Sequence, residues 1–143
     1  MAFTSIQKIR FDDVDGAGIV YYPQFFHLCH AAFEDFFDDA AHLSYPELIS
    51  GQKLAFPTVA LQSEFHAPLC YGDIAIVSLE IEKIGTSSVT FRYTIRRKRD
   101  GEFCFEASVT TVMVQTEGLA PIPLPDSYRQ LFQRFLTTSS DAG

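Results

Sequence analysis

Residues 23 to about 41 constrain this chain more than any other stretch. At about 100° per residue, Phe25, Phe26, Leu28, Cys29, Ala32, Phe33, Phe36, Phe37 and Ala40 fall on one arc of about half the circumference. His27, Glu34, Asp35 and Asp38 fall opposite. Pro23 suits a first helical turn. An apolar arc that wide predicts a helix sunk deep against another layer, not one grazing it.

The rest of the chain supplies that layer. Residues 3–11 read as a strand with Phe3, Ile9 and Phe11 on one face. Residues 44–51 read as a short helical turn stopped at Gly51. From Ala55 the apolar period switches to two. Residues 55–67 predict a long strand kinked at Pro57. Residues 74–84 follow, with Ala75, Val77, Leu79 and Ile81 on one face. Residues 88–98 point Val89, Phe91, Tyr93 and Ile95 inward, and residues 102–115 keep Phe103, Phe105, Ala107 and Val109 in register. Arg99-Asp100-Gly101 marks the hairpin between them. Pro121, Pro123 and Pro125 end the sheet. Asp126-Ser127 can cap a short helix over 128–136, and residues 137–143 read as a frayed polar tail. No repeat or second domain breaks the 143 residues, a length suited to one core. Long antiparallel strands curling around one central helix describe the α+β hotdog fold, a five-stranded antiparallel sheet wrapped around a long helix. Its uncovered edges predict pairing into a homodimer. Assembly of such dimers into a homotetramer is expected but is not read from the edges.

Bulk properties exclude several function classes. A net charge of −7 argues against nonspecific nucleic-acid binding. No apolar run reaches the roughly 18 residues of a membrane span, and the N-terminus lacks a signal pattern. Cys29, Cys70 and Cys104 are odd in number and share no metal spacing. They read as reduced thiols of a cytoplasmic protein.

Asp12-Asp13-Val14-Asp15-Gly16-Ala17-Gly18 links the first strand to the helix. Three acids in four positions exceed what one turn needs, and glycines flanking Ala17 let backbone approach a ligand closely. Asp15 reads either as a turn residue bonding its own backbone or as an acid beside the electropositive start of a helix. His30, at the edge of the apolar arc, reads as a packed histidine needing partners or as a pocket residue. His27 and His30 with Cys29 offer no complete metal set, and His42 and His66 read as isolated and structural. No metal or cofactor is expected. A Gly-x-Ser-x-Gly elbow, a P-loop and a Gly-x-Gly-x-x-Gly are all missing from the sequence.

The segment Phe11-Asp12-Asp13-Val14-Asp15-Gly16-Ala17-Gly18-Ile19-Val20-Tyr21-Tyr22-Pro23 resembles the signature of the 4-hydroxybenzoyl-CoA thioesterase family of hotdog acyl-CoA thioesterases. Asp-Gly-Ala-Gly and Cys29-His30-Ala31 are most similar to its 1,4-dihydroxy-2-naphthoyl-CoA hydrolases. The likeness extends through the helix and, more weakly, to about residue 115. It implies hydrolysis of an aromatic acyl-CoA, with Asp15 as nucleophile or general base and the backbone N–H of Tyr22 as oxyanion donor. Gly18, Tyr21, Phe26 and His30 become the expected substrate contacts. At the position of His30 the benzoyl enzymes carry an acid, so the resemblance favours a differently placed ring hydroxyl.

The one basic run, Arg96-Arg97-Lys98-Arg99, reads as a solvated hairpin tip or as a phosphate site for CoA. Arg92, Arg96, Arg97 and Arg99 are the expected CoA-phosphate residues, with Arg129 a further candidate. Glu64 is a minor candidate acid on a strand. Two other readings stay open: a thioesterase for short- or medium-chain acyl-CoA or for an acyl carrier protein, and a non-catalytic acyl-CoA binding module.

Overall fold

Helix α1 spans Gln24–Ala40 and buries Phe25, Leu28, Cys29, Ala32, Phe33, Phe36 and Phe37. This is the arc its spacing defines. The computed structural model describes residues 1–137. Phe36 touches the rings of Phe3 and Phe135 at 5.6 and 5.0 Å, and Phe33 that of Phe91 at 5.3 Å. Edge-to-face pairs of this kind add to simple burial. Asp35, opposite the apolar arc, accepts from Ser5 Oγ at 2.6 Å and Gln7 Nε2 at 3.0 Å, tying α1 to the first strand.

Strands β1 (Phe3–Lys8), β3 (Thr58–Phe65), β4 (Ile74–Ile84), β5 (Ser88–Arg97) and β6 (Phe103–Val112) form one antiparallel sheet in the order β1-β4-β5-β6-β3. Alternation puts Ala75, Val77, Leu79 and Ile81 of β4 and Val89, Phe91, Tyr93 and Ile95 of β5 against α1, all buried. A separate ribbon pairs β2 (Leu54–Ala55) with β7 (Val114–Gln115). Short helices α2 (Tyr45–Ser50) and α3 (Asp126–Gln133) close the ends. This is the α+β hotdog arrangement expected from the sequence, with a five-stranded sheet and one dominant helix.

Several expected boundaries move, each for a local reason. The first strand stops at Lys8; Phe11 lies in a 3-10 turn over Phe11–Asp13 and is 77% exposed rather than sharing a buried face with Ile9. The strand expected over 55–67 is two strands, because Pro57 brings no N–H to the ladder. The last strand breaks at Met113, whose N–H donates to Ser87 O. A register shift at Ile95/Arg96 takes Phe103 out of the inward row, and it packs under Arg96 instead. Helix α3 begins at Asp126 with Pro125 at its N-cap and no side-chain cap. Thr137 is buried, and its N–H donates to Ile81 O. The rest of the expected frayed tail lies outside the described residues.

The β3–β4 turn holds the Asp-rich turn in place. Tyr71 N–H donates to Gly18 O, Val20 N–H to Leu69 O and Ile9 N–H to Asp73 O. Asp73 is buried and accepts from Cys70 N–H at 2.9 Å and Arg99 Nε at 2.7 Å. Burial alone would raise its pKa. The Arg99 and Cys70 hydrogen bonds and the charges of Arg99 and Arg97 outweigh burial and hold it below the usual carboxylate range. Asp73→Asn should therefore cost about 1–3 kcal/mol in a denaturant titration at neutral pH. A depressed folded-state pKa gives stability that is present above the unfolded value of about 4 and is lost as pH falls through the folded value. The gap between wild type and Asp73→Asn should thus narrow in acid; a gap that stays constant there contradicts this role.

Candidate functional site

The three acids of the turn have separate fates. Asp12 is exposed. Asp13 is buried and accepts from Arg10 N–H at 2.8 Å and Gln24 Nε2 at 3.3 Å, pinning the turn to the start of α1. Asp15 is exposed, and its Oδ1 accepts the Ala17 N–H at 2.8 Å. That is the turn bond expected of an Asp here. Its Oδ2 has no partner among the described residues, so the carboxylate is oriented through one oxygen and free at the other. Gly18 takes φ +80°, a conformation suited to glycine, and donates to Asp15 O at 3.0 Å.

A helix start ordinarily leaves several N–H groups unpaired. Here Gln24, Phe25 and Phe26 donate to Tyr21 O, Tyr22 O and Pro23 O, in tight i−3 bonds. Tyr21 N–H donates to Asp13 O, and Pro23 has no N–H. The Tyr22 N–H is left with no acceptor among the described residues. The Tyr22 ring stands 6.4 Å from that of Phe65, and Phe65 stands 6.4 Å from Phe26, so the helix start leads by ring contacts to the next feature. Tyr21 is half exposed with its ring against Tyr22.

That feature is a cavity of about 310 Å³ between α1 and the sheet. Phe26, Phe33, Phe56 and Leu61 give it apolar walls, and Cys29, His30, Tyr93 and Thr111 add polar atoms. Asp15 is not among its lining residues. Burial pushes the Cys29 thiol far up, so it remains a neutral lining group. His30 is neither packed in the core nor free. It stands 56% exposed at the cavity, its ring stacks on Phe33, and its Nε2 lies 2.8 Å from Glu34 Oε2. Phe26 and His30 were legible from the helix; Tyr93, Thr111 and Phe56 were not singled out. Tyr93 and Thr111 read from sequence as ordinary inward or sheet residues, and only the packing reveals the space beside them.

The basic candidates are largely engaged within the chain. Arg97 bonds Asp100 and Pro68 O, with its side chain 12% exposed, and Asp100 is held down at about 2, chiefly by the Arg97 hydrogen bond. Arg99 pairs with Asp73, Arg92 with Glu106, and Arg96 lies over Phe103; Arg129 donates to Gly85 O. Lys8 and Arg10 have no ion pair among the described residues. With Phe11 and Tyr71 they line an open groove of about 440 Å³ beside the turn. Separated in the sequence, with Lys8 at the end of β1 and Arg10 just beyond it, they form no basic run that would mark them.

His66 is not isolated. Its Nε2 lies 3.1 Å from Glu106 and 3.6 Å from Glu64, two acids paired across β3 and β6. Phe65 and Phe105 face α1, so Glu64 and Glu106 point away from it, and Glu64 is not placed toward the cavity.

The family model of the thioesterase-like superfamily matches residues 9–132. A 1,4-dihydroxy-2-naphthoyl-CoA hydrolase of Synechocystis is 30% identical over 127 residues, 89% of this chain and 91% of that protein. The crystal structure of a 1,4-dihydroxy-2-naphthoyl-CoA thioesterase from Synechocystis matches with a TM-score of 0.84 at 28% identity, covering 93% of this chain and 96% of that one. A gentisyl-coenzyme A thioesterase structure matches with a TM-score of 0.80 at 26% identity, covering 89% and 99%. With its long buried helix, its Asp-Gly-Ala-Gly turn and this match over most of its length, the chain belongs to the thioesterase-like superfamily and is an acyl-CoA thioesterase of hotdog fold.

Proposed function

We propose that this chain hydrolyses an aromatic acyl-CoA, best represented by 1,4-dihydroxy-2-naphthoyl-CoA, to the free acid and CoA. The observation that carries this reading is the ring-walled cavity next to a helix start whose Tyr22 N–H is unspent. Its volume of about 310 Å³ sits at the small end of ligand pockets, roughly 300–1,000 Å³. That suits a ring system better than a long alkyl chain. The acyl group occupies the cavity, with Phe26 and His30 against it. The thioester carbonyl points at the Tyr22 N–H, which stabilises the oxyanion as the carbonyl carbon becomes tetrahedral. Asp15 uses its free Oδ2 to attack that carbon or to take a proton from the attacking water. The C–S bond then breaks, and the CoA thiolate takes up a proton. On the general-base route that proton is the one Asp15 took from the water, which has already made the free acid. On the nucleophilic route the acyl group is left as an anhydride on Asp15, and a water hydrolyses it to release the acid and restore the carboxylate. Gly18 and Tyr21 shape the backbone and rim at that point.

CoA phosphates need cations that are not already neutralised. Lys8 and Arg10 meet that requirement better than Arg92, Arg97 or Arg99, which are ion-paired; Arg96 carries no ion pair among the described residues but lies over Phe103. Pairing with a second copy along edge strand β3 completes the site in this reading. Val59, Leu61 and Phe65 are exposed on that edge, and Leu61 also lines the cavity. A homodimer, assembling further to a homotetramer, is the form proposed. Three free cysteines support the cytoplasm as its compartment.

Thiol release from 1,4-dihydroxy-2-naphthoyl-, 4-hydroxybenzoyl-, benzoyl-, butyryl- and palmitoyl-CoA tests the proposal. The naphthoyl ester should be preferred, and Asp15→Asn should lower kcat by about 10²–10⁴-fold without loss of fold. Preference for an alkyl ester would move the substrate to the aliphatic class, and near-wild-type turnover by Asp15→Asn would remove Asp15 from the chemistry. Lys8→Glu with Arg10→Glu should raise KM about tenfold or more with little change in kcat, the signature of lost uniform binding. An unchanged KM would return the phosphate site to the hairpin.

A further inference from the structure

The cavity holds buried polar groups that the chemistry above does not use, Cys29, Tyr93 and Thr111, and Tyr93 stands apart among them. Tyr93 projects inward from β5 between its cross-strand neighbours Leu79 and Ala107, and it is 3% exposed. Its ring stacks near Phe91, and its side chain lines the cavity. Its hydroxyl has no hydrogen-bond partner among the described residues. A buried tyrosine usually finds one. Nor is that oxygen sealed in: among the described residues, no side-chain N or O closed off from solvent lacks a partner. The Tyr93 hydroxyl therefore reaches open space, and the space it lines is the cavity.

The neighbouring polar groups leave it the strongest uncommitted donor among the buried lining residues. Thr111 spends its proton on Val89 O at 3.1 Å. Cys29 offers only a thiol, a weak donor. Burial, and to a lesser degree Cys29, drive the Tyr93 pKa well above its ordinary value, so the phenol keeps its proton.

We propose that the Tyr93 hydroxyl recognises an oxygen atom carried on the acyl ring, so that the cavity selects ring-oxygenated aromatic acyl groups over plain ones of the same shape. A site with a buried donor penalises a ligand that leaves the donor unpaired more strongly than an apolar wall penalises a missing methylene. The selectivity rests on the proposed aromatic acyl-CoA substrate only for the identity of the ester; recognition of the ring belongs to the cavity alone. Tyr93 sits in the binding wall and takes no part in breaking the thioester.

Tyr93→Phe removes the hydroxyl and keeps the ring. Wild type should favour 1,4-dihydroxy-2-naphthoyl-CoA over 2-naphthoyl-CoA in kcat/KM. Tyr93→Phe should reduce that preference about tenfold or more, by losing activity on the oxygenated ester while holding or gaining on the plain one. Its melting temperature should not fall, because the hydroxyl supports no bond within the chain. A uniform loss on both esters with a lowered melting temperature would make Tyr93 a structural residue and overturn the proposal, as would an unchanged preference. If wild type hydrolyses neither ester, the aromatic-substrate reading fails separately. Calorimetric binding of 1,4-dihydroxy-2-naphthoate against 2-naphthoate then decides: a preference for the oxygenated acid that Tyr93→Phe abolishes supports the proposal, and equal or absent binding overturns it.

Discussion

The burial of one face of α1 is the constraint on which the rest depends. Phe33, Phe36 and Phe37 lock the helix to β5, α3 and the segment around Phe56 through ring contacts. Phe25 stacks on Phe105 at 4.9 Å and fixes where the helix begins. Two structural consequences follow from this one packing event. The start of the helix, and with it the Tyr22 N–H, is held at a set place on the sheet. The gap between Phe26, Phe33 and the side chains of Tyr93 on β5 and Val109 and Thr111 on β6 becomes a cavity. Site and core are thus made by the same side chains, and filling the core more tightly would close the pocket.

The Asp-rich turn shows how one short segment places neighbouring acids in opposite environments. Asp13 turns inward and gives both oxygens to the protein, one to Arg10 N–H and one to Gln24. Asp15 turns outward and gives one oxygen, keeping the other. The first-turn amides of α1 are consumed by i−3 bonds, which leaves a single backbone donor where a generic helix start would present several. A bound carbonyl would therefore meet one defined N–H instead of a diffuse positive end. The turn gains rigidity from outside as well, from Tyr71 and from the Asp73–Arg99 pair behind it.

Much of the fold was legible in the sequence because it is written in local periodicity. Helix α1 and strands β4 and β5 lie within a residue of where the spacing put them. Boundaries that failed depended on partners far away in sequence: Met113 leaves its strand for Ser87, and Phe103 leaves its row at a register shift. Of the candidate site, Asp15, Tyr22, Phe26 and His30 could be named from a motif and a helical wheel. Asp15 making the turn bond and leaving an oxygen free could not, since both readings of it share one sequence. Nor could the Glu64–His66–Glu106 cluster, created by β3–β6 pairing across some 40 residues, nor the state of the arginines, whose partners are read only from geometry. Tyr93 is the extreme case: its alternation announces a core residue, and only the missing partner marks it out.

A crystal structure with a thioether analogue of 1,4-dihydroxy-2-naphthoyl-CoA, which keeps the acyl ring and the nucleotide but resists hydrolysis, most directly tests whether turn and cavity act as one site. The ring should lie in the cavity lined by Phe26, Phe33 and Tyr93. The thioester-equivalent carbon should sit within reach of a Tyr22 N–H and a free Asp15 oxygen. A ring bound elsewhere, or a reacting carbon remote from every Asp15 in the assembly, would contradict the account.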